Sequence, residues 1–283
     1  MNLNEPYRRV ILVILDGLRA DAIDVFGLDT LQRLRKTTAH TSAARTVEPS
    51  VTWAVMTSLM TGVAPAVHGV VSERIHLPRP KAKLHPLPAT LDDAGLPSTA
   101  VLCSIPRLFR PVASAIGRKL GVGHLRFVGE GAEDILESAR DRLADQRRGL
   151  IFLHWPDADA AGHDHGWMSP EYANACNTLD RTMAALLRLI DLENDPETLL
   201  IALADHGGGG IDPKDHESSH AFDRLVPLYF MGAGVTPGDL GPNVSLLDVP
   251  ATILWSLGVE RPTTYSGRPL TELIAGIPLS RAS

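Results

Sequence analysis

Five short runs of consecutive apolar residues punctuate the chain: RVILVIL at 9–15, STAVLC at 98–103, GLIFLHW at 149–155, TLLIALA at 198–204 and RLVPLYFMG at 224–232. Hydrophobicity that is continuous rather than alternating marks strands covered on both faces, as in a parallel sheet between layers of helices. Helical spacing fills the intervals, at 52–61, 132–148 and 169–192. In the last of these, Ala173, Cys176, Leu179, Met183, Leu186 and Ile190 recur every three or four residues, with Ser169 as cap and Pro170 in the first turn. LLDVPATILWSLG makes a final helix that closes at Gly258. Strands alternating with helices predict an α/β fold, a three-layer α/β/α arrangement with a mostly parallel central sheet, as one domain over 1–283. The stretch 71–126, rich in Pro, Arg and Lys, is expected to form a cap or substrate-specificity insertion within it.

Ligands of such folds gather beyond the carboxyl ends of the strands. Three of the five runs lead straight into acidic or His-rich segments there: ILVILDG, FLHWPDADAAGHDHG and LIALADHGG. Asp16 ends the first strand. In the second cluster Asp159 and His163 stand four apart, a spacing that lets both face one ion from a loop or helical turn. Asp157 competes with Asp159, while Asp164 and His165 are expected in solvent on a turn-rich loop. Asp205 and His206 leave the third strand together, before glycines that permit tight turns or close approach of backbone to a ligand. KDHESSH at 214–220 adds His216 and His220. Carboxylates gathered at one sheet edge raise one another's pKa unless cations neutralise them. The mixed Asp and His set predicts two divalent metal ions, zinc first, with manganese or iron as alternatives. Paired ions roughly 3.5–4 Å apart stabilise the attacking and leaving oxygens of an in-line displacement.

Composition and charge set the boundaries. At 44% hydrophobic and 21% charged, the chain has ordinary soluble usage. Acids outnumber bases 33 to 27 with no long Lys/Arg block, so no nucleic acid polymer is expected as a partner. The one basic region, Arg107 to Arg126 with Arg110, Arg118 and Lys119, is expected to be a solvated helix face. Arg107, Arg110 and His76 are conceivable substrate contacts. Two cysteines, Cys103 and Cys176, make no disulfide framework and suit a reducing compartment. The apolar run before Asp16 is too short for a signal-peptide core or a membrane span. The expectation is therefore a cytoplasmic protein with no membrane partner, its oligomeric state open.

Thr52 opens the helix of PSVTWAVMTSLMTG, where threonine is a favoured cap. In their order along the chain, these motifs resemble the alkaline phosphatase superfamily, and most closely its type I phosphodiesterase and nucleotide pyrophosphatase branch. That family has a strand-end Asp in a DG pair, matched by ILDG. It then has a Thr or Ser nucleophile in PSxTxxxxxSLxTGxxPxxHG, matched by PSVTWAVMTSLMTGVAPAVHG. PDADAAGHDHG matches its PDxDxxGHxxG, ADHG follows at 204–207, a later His is matched by His216, and TTYSGRPL is like its C-terminal signature.

The resemblance implies an alkaline phosphatase-like fold and a two-metal hydrolase of phosphate esters. Asp16, Thr52, Asp205 and His206 would form the nucleophile-side metal site, and Asp159, His163 and His216 the second, with His220 the alternative to His216. A phosphoryl-threonine on Thr52 would be the intermediate, and the partner a small-molecule phosphate ester. A diester is expected, a monoester being the alternative within the superfamily and a non-catalytic metal-binding module the alternative outside it. Two departures qualify the match. Val55 stands where this branch often has an Asn that contacts phosphate. No CxPxR-like context surrounds Thr52, which argues against formylglycine-dependent sulfatase chemistry.

Overall fold

The structure, a computed structural model, describes residues 7–72 and 79–273. Its strands are β1 (Arg9–Leu15), β2 (Ala39–Arg45), β3 (Ser98–Leu102), β4 (His124–Phe127), β5 (Gly149–Trp155), β6 (Thr198–Leu203), β7 (Leu225–Met231) and β8 (Gly238–Asp239). They form one sheet in the order β4-β3-β5-β1-β6-β7-β2-β8. The run from β4 to β6 is parallel, and β7 pairs antiparallel with both β6 and β2. Every residue of β1 and β6 is buried, as expected of strands whose apolar runs leave no polar face for water.

Helices Asp29–Thr37, Ala132–Asp145 and Pro170–Ile190 pack on one another, and Thr52–Thr61, Leu87–Asp93 and Asp248–Ser256 form a second group. Sheet and helices together make the α/β fold expected from the sequence. Ser169 caps its helix as anticipated, its hydroxyl accepting from Tyr172 N at 3.1 Å.

Three strands went unforeseen. β2 reads AHTSAAR and β4 reads HLRF, half-buried sequences that lack a continuous apolar run, while β8 is two residues long. The segment Asp157–His165, for which the spacing allowed a loop or a helical turn, is an α-helix, and it includes Asp164 and His165, which were expected on a turn-rich loop. β3 lies within 71–126 and β4 begins there, so that stretch contributes to one edge of the sheet. His76 lies outside the described residues.

The order β5-β1-β6 gathers the polar segments. Three adjacent parallel strands deliver the residues after Trp155, Leu15 and Leu203 to the same edge. β1 is tied further to the β5 side where Asp159 N donates to Asp16 O at 3.0 Å. Gly17 permits this approach: it has φ +73°, and a Cβ there would lie 2.6 Å from the Asp159 Cα.

Candidate active site

The carboxyl edge of β5, β1 and β6 collects a buried polar cluster. Asp16 is 3% exposed, and Asp205, His206 and His216 are 0–1% exposed. Asp16 Oδ1 lies 3.3 Å from His206 Nε2, and Asp205 Oδ2 lies 3.6 Å from the same nitrogen. Asp159 Oδ1 is 3.4 Å from His163 Nε2 and 3.9 Å from both His206 Nε2 and His216 Nε2. Thr52 Oγ1 completes the group at 3.0 Å from His206 Nε2.

Thr52 is the first residue of its helix, the cap position belonging to Val51, and its hydroxyl is engaged with His206 Nε2. The capping role available to a threonine here is thus not used; the side chain faces the imidazole instead. Val55, one turn on, is fully buried among the core residues.

Each imidazole is held by its far nitrogen. Nδ1 of His163 donates to Lys214 O at 3.0 Å, Nδ1 of His206 to Gly207 O at 2.8 Å, and Nδ1 of His216 to Ser50 O at 3.0 Å. A carbonyl can only accept, so Nδ1 carries a proton, and in the neutral form of each ring Nε2 is the bare nitrogen that faces the cluster. Ser50 closes a reciprocal pair by donating its hydroxyl to His216 O at 2.6 Å.

The electrostatics follow from packing like charges out of water. Burial raises the Asp16 pKa well above the usual carboxylate range, and the Asp205 and Asp159 carboxylates raise it further. Burial disfavours charge on His206 too, but Asp205, Asp16 and Asp159 outweigh it and lift its pKa to about 9. Burial, with His206 and His163 alongside, pushes His216 down to about 3. For Asp205, burial is outweighed by the facing His206 and His154, and its pKa falls. A field that draws a proton onto a wholly buried imidazole is one that favours cations. Asp16 Oδ1 and Asp205 Oδ2 are buried without a hydrogen-bond partner, the condition that a bound ion relieves.

Among the described residues two triads of donor atoms could hold metal, Asp159–His206–His216 and Asp16–His154–Asp205, with the atoms of each within 4.8 Å of one another. His154 was not foreseen. It sits on β5 opposite Ile14 of β1, and its Nε2 lies 2.9 Å from Asp16 Oδ2. The available signal was a single imidazole inside the otherwise apolar GLIFLHW.

Trp167 was also missed. Its Nε1 donates to Gly17 O at 2.9 Å, and its ring meets His163 edge-on at 5.2 Å and His216 at 5.8 Å. It explains part of the glycine run, because a Cβ on Gly208 would lie 2.1 Å from the Trp167 ring. The run is packed against an aromatic side chain and is not a free loop.

Other candidates are occupied elsewhere. Asp157 accepts from Ala132 N at 2.9 Å at the start of the Ala132–Asp145 helix. His220 caps the short helix after it, accepting from Phe222 N at 3.2 Å, and its ring lies tilted against the Phe222 ring at 4.7 Å. Its place is therefore not in the cluster, and His216 occupies the site. Arg110 turns onto Ile105 O and Ser104, while Arg107 is exposed.

The model of the type I phosphodiesterase / nucleotide pyrophosphatase family matches residues 10–87 and 106–232, well over half the chain, and the protein belongs to that family. Among curated proteins, mouse ectonucleotide pyrophosphatase/phosphodiesterase family member 1 is 24% identical over 70% of this chain and 24% of its own. GPI ethanolamine phosphate transferase 1 of Chaetomium globosum is 29% identical over 47% of this chain and 17% of its own. Phosphopentomutase of an Anaeromyxobacter species is 34% identical over 40% of this chain and 27% of its own. The matched regions thus span only about a quarter or less of these relatives. In fold, the chain is similar to an inactive threonine-to-alanine variant of murine ectonucleotide pyrophosphatase / phosphodiesterase 5 in complex with AMP, with TM-score 0.72, 14% identity and coverage of 96% and 100% of the two chains. The lipoteichoic acid synthase LtaP of Listeria monocytogenes is similar with TM-score 0.65 and 14% identity, covering 89% and 72%.

Proposed function

We propose that this protein hydrolyses small-molecule phosphate esters at a two-metal site, with Thr52 as nucleophile and diesters preferred over monoesters. The observation that carries it is the placement of the Thr52 hydroxyl 3.0 Å from a buried imidazole that three carboxylates surround. The donor set fits divalent cations: two buried carboxylate oxygens without partners, and three rings oriented so that Nε2 faces inward. Asp16, Asp205, His206 and Thr52 would hold one ion, and Asp159, His163 and His216 the other. His206 stands between these sets, grouping in space with Asp159 and His216. Mixed nitrogen and oxygen donors favour zinc, with manganese or iron next.

Bound dications supply hydroxyl activation and neutralise phosphate charge. Thr52 Oγ1 forms the new P–O bond as the ester P–O bond breaks and the alcohol departs. Water then adds to phosphorus as the Thr52 Oγ1–P bond breaks, which restores the hydroxyl and releases a phosphate monoester from a diester, or inorganic phosphate from a monoester. Val55, packed in the core, offers the phosphate nothing, so backbone N–H groups at the start of the Thr52–Thr61 helix take that role. Trp53, 62% exposed beside the nucleophile, offers an aromatic face to the leaving group. Specificity loops are assigned to 71–126, and a reducing, cytoplasmic setting is proposed from the two free cysteines.

The test is hydrolysis of bis(p-nitrophenyl) phosphate and p-nitrophenyl phosphate with zinc or manganese added. Thr52→Ala abolishes turnover and keeps metal content, measured by elemental analysis. Undiminished turnover in that variant removes Thr52 from the mechanism. Faster turnover of the monoester than the diester reverses the preference.

A further inference from the structure

Nine large apolar side chains are exposed among the described residues, and four of them cluster in nine consecutive positions: Leu108 (82%), Phe109 (50%), Val112 (61%) and Ile116 (54%). They lie on and just before the helix Arg110–Lys119. Phe109, Val112 and Ile116 follow the three- and four-residue spacing of one helical stripe. The helix meets the body through another side, where Gly117 is buried and a Cβ on it would lie 2.7 Å from Leu125 of β4. The stripe therefore faces outward. The sequence pattern suggested a solvated basic face here; the basic residues are present, but the apolar ones are turned out among them.

Charge says what covers such a face. From Ala94 to Gly129 there is no Asp or Glu, in a chain of net charge −6, while Lys119 is exposed three residues on from Ile116 and Arg107 and Arg118 are exposed in the same segment. A polyanion in water would satisfy the cations and leave the hydrocarbon wet. A bilayer with anionic headgroups satisfies both. Among the described residues no helix is long and apolar enough to cross a membrane, so the contact is peripheral. The segment also leaves the sheet at the end of β3, the carboxyl edge that carries Asp16 and Asp205.

We infer that the Leu108–Ile116 face docks onto an anionic lipid surface, and that docking brings the carboxyl edge of the sheet to the interface. This stands apart from the proposed hydrolysis and is tested without it. The full chain is sedimented with vesicles of phosphatidylcholine alone and of phosphatidylcholine with phosphatidylglycerol. It co-sediments with the mixed vesicles and not with the neutral ones, and the bound fraction falls as salt is raised. Arg118→Glu with Lys119→Glu weakens binding by more than about tenfold, since each cation near an anionic leaflet is worth about fivefold. Phe109→Ser with Val112→Ser weakens it comparably. Circular dichroism remains at the wild-type signal in both variants, because these side chains are exposed. Absence of binding to anionic vesicles overturns the proposal, as does binding that the Phe109→Ser, Val112→Ser variant retains in full. A dimer in sedimentation velocity that the same variant abolishes, with no vesicle binding, overturns it in favour of a second copy of this chain.

Discussion

The two ends of β1 bury opposite charges and treat them differently. At the amino end Arg9 is 1% exposed and fully engaged: it donates to Thr198 Oγ1 at 2.8 Å, to Leu143 O at 2.6 Å, to Gln146 O at 3.1 Å and to Asp195 at 2.6 Å. At the carboxyl end Asp16 is equally buried, yet it faces two further carboxylates and leaves one oxygen without a hydrogen bond. A buried charge with every hydrogen bond made is anchorage. A buried charge among its own kind, with atoms left over, is held there at a cost by the rest of the fold, which is the signature of a site.

If that contrast is right, Asp205→Asn separates stability from function. The substitution keeps the shape and removes one of three mutually repelling carboxylates. Turnover falls at least about 10³-fold, a barrier increase of about 4 kcal/mol. In chelator, thermal stability stays within about 1 kcal/mol of wild type, since relief of the repulsion with Asp16 offsets the lost pairing with His206 and His154. The rise in melting temperature that zinc gives the wild type, about 2.7 kcal/mol at a hundredfold excess over Kd, disappears. A large loss of stability in chelator would show that Asp205 is anchored as Arg9 is.

Arg9→Leu is the opposite case. It strands Asp195, but that carboxylate is 20% exposed and has Arg147 at 3.8 Å, so the loss is at the low end for a broken buried pair, about 3 kcal/mol. Thermal denaturation shifts down by roughly 6–10 °C, while metal affinity and turnover of the folded enzyme are unchanged.

The same contrast explains what could be seen in the sequence. β1, β5, β6 and β7 announce themselves as unbroken apolar runs because burial on two faces demands it, and the Thr52 helix was placed at its observed limits. β2 and β4 lie toward the sheet's ends and are half-exposed, so nothing in AHTSAAR or HLRF marks them as strands. Asp16, Asp205 and His206 were legible because a polar residue directly after such a run has nowhere to go but the edge. Trp167 was not, since its role depends on a distant glycine run closing over it.

His154 lies between these cases, a polar residue inside the run rather than after it. Its imidazole meets the outer oxygen of Asp16, while the other oxygen faces His206. His154→Ala loosens that carboxylate and weakens metal binding by about 10- to 100-fold, measured by competition with a chromogenic chelator, as loss of a supporting partner does elsewhere. Unchanged affinity would make His154 a mere occupant of β5.

The smallest effect tests whether pairing or location decides. His68 is buried in the helical layer that carries Thr52, yet both its nitrogens have partners: Nε2 lies 2.9 Å from Ser58 Oγ, and Nδ1 accepts from Val70 N at 3.1 Å. Burial holds its pKa down at about 4, against 6.5 for a free imidazole. The fold thus binds the neutral ring, so the stability it contributes is complete above pH 6.5 and is lost as the unfolded chain takes up a proton between pH 6.5 and 4. Melting of wild type and His68→Gln across that window gives a difference that narrows by about 1–2 kcal/mol on acidification. A constant difference would mean that His68 titrates as freely as in the unfolded chain, and that full pairing on this face does not anchor a group as it does at Arg9.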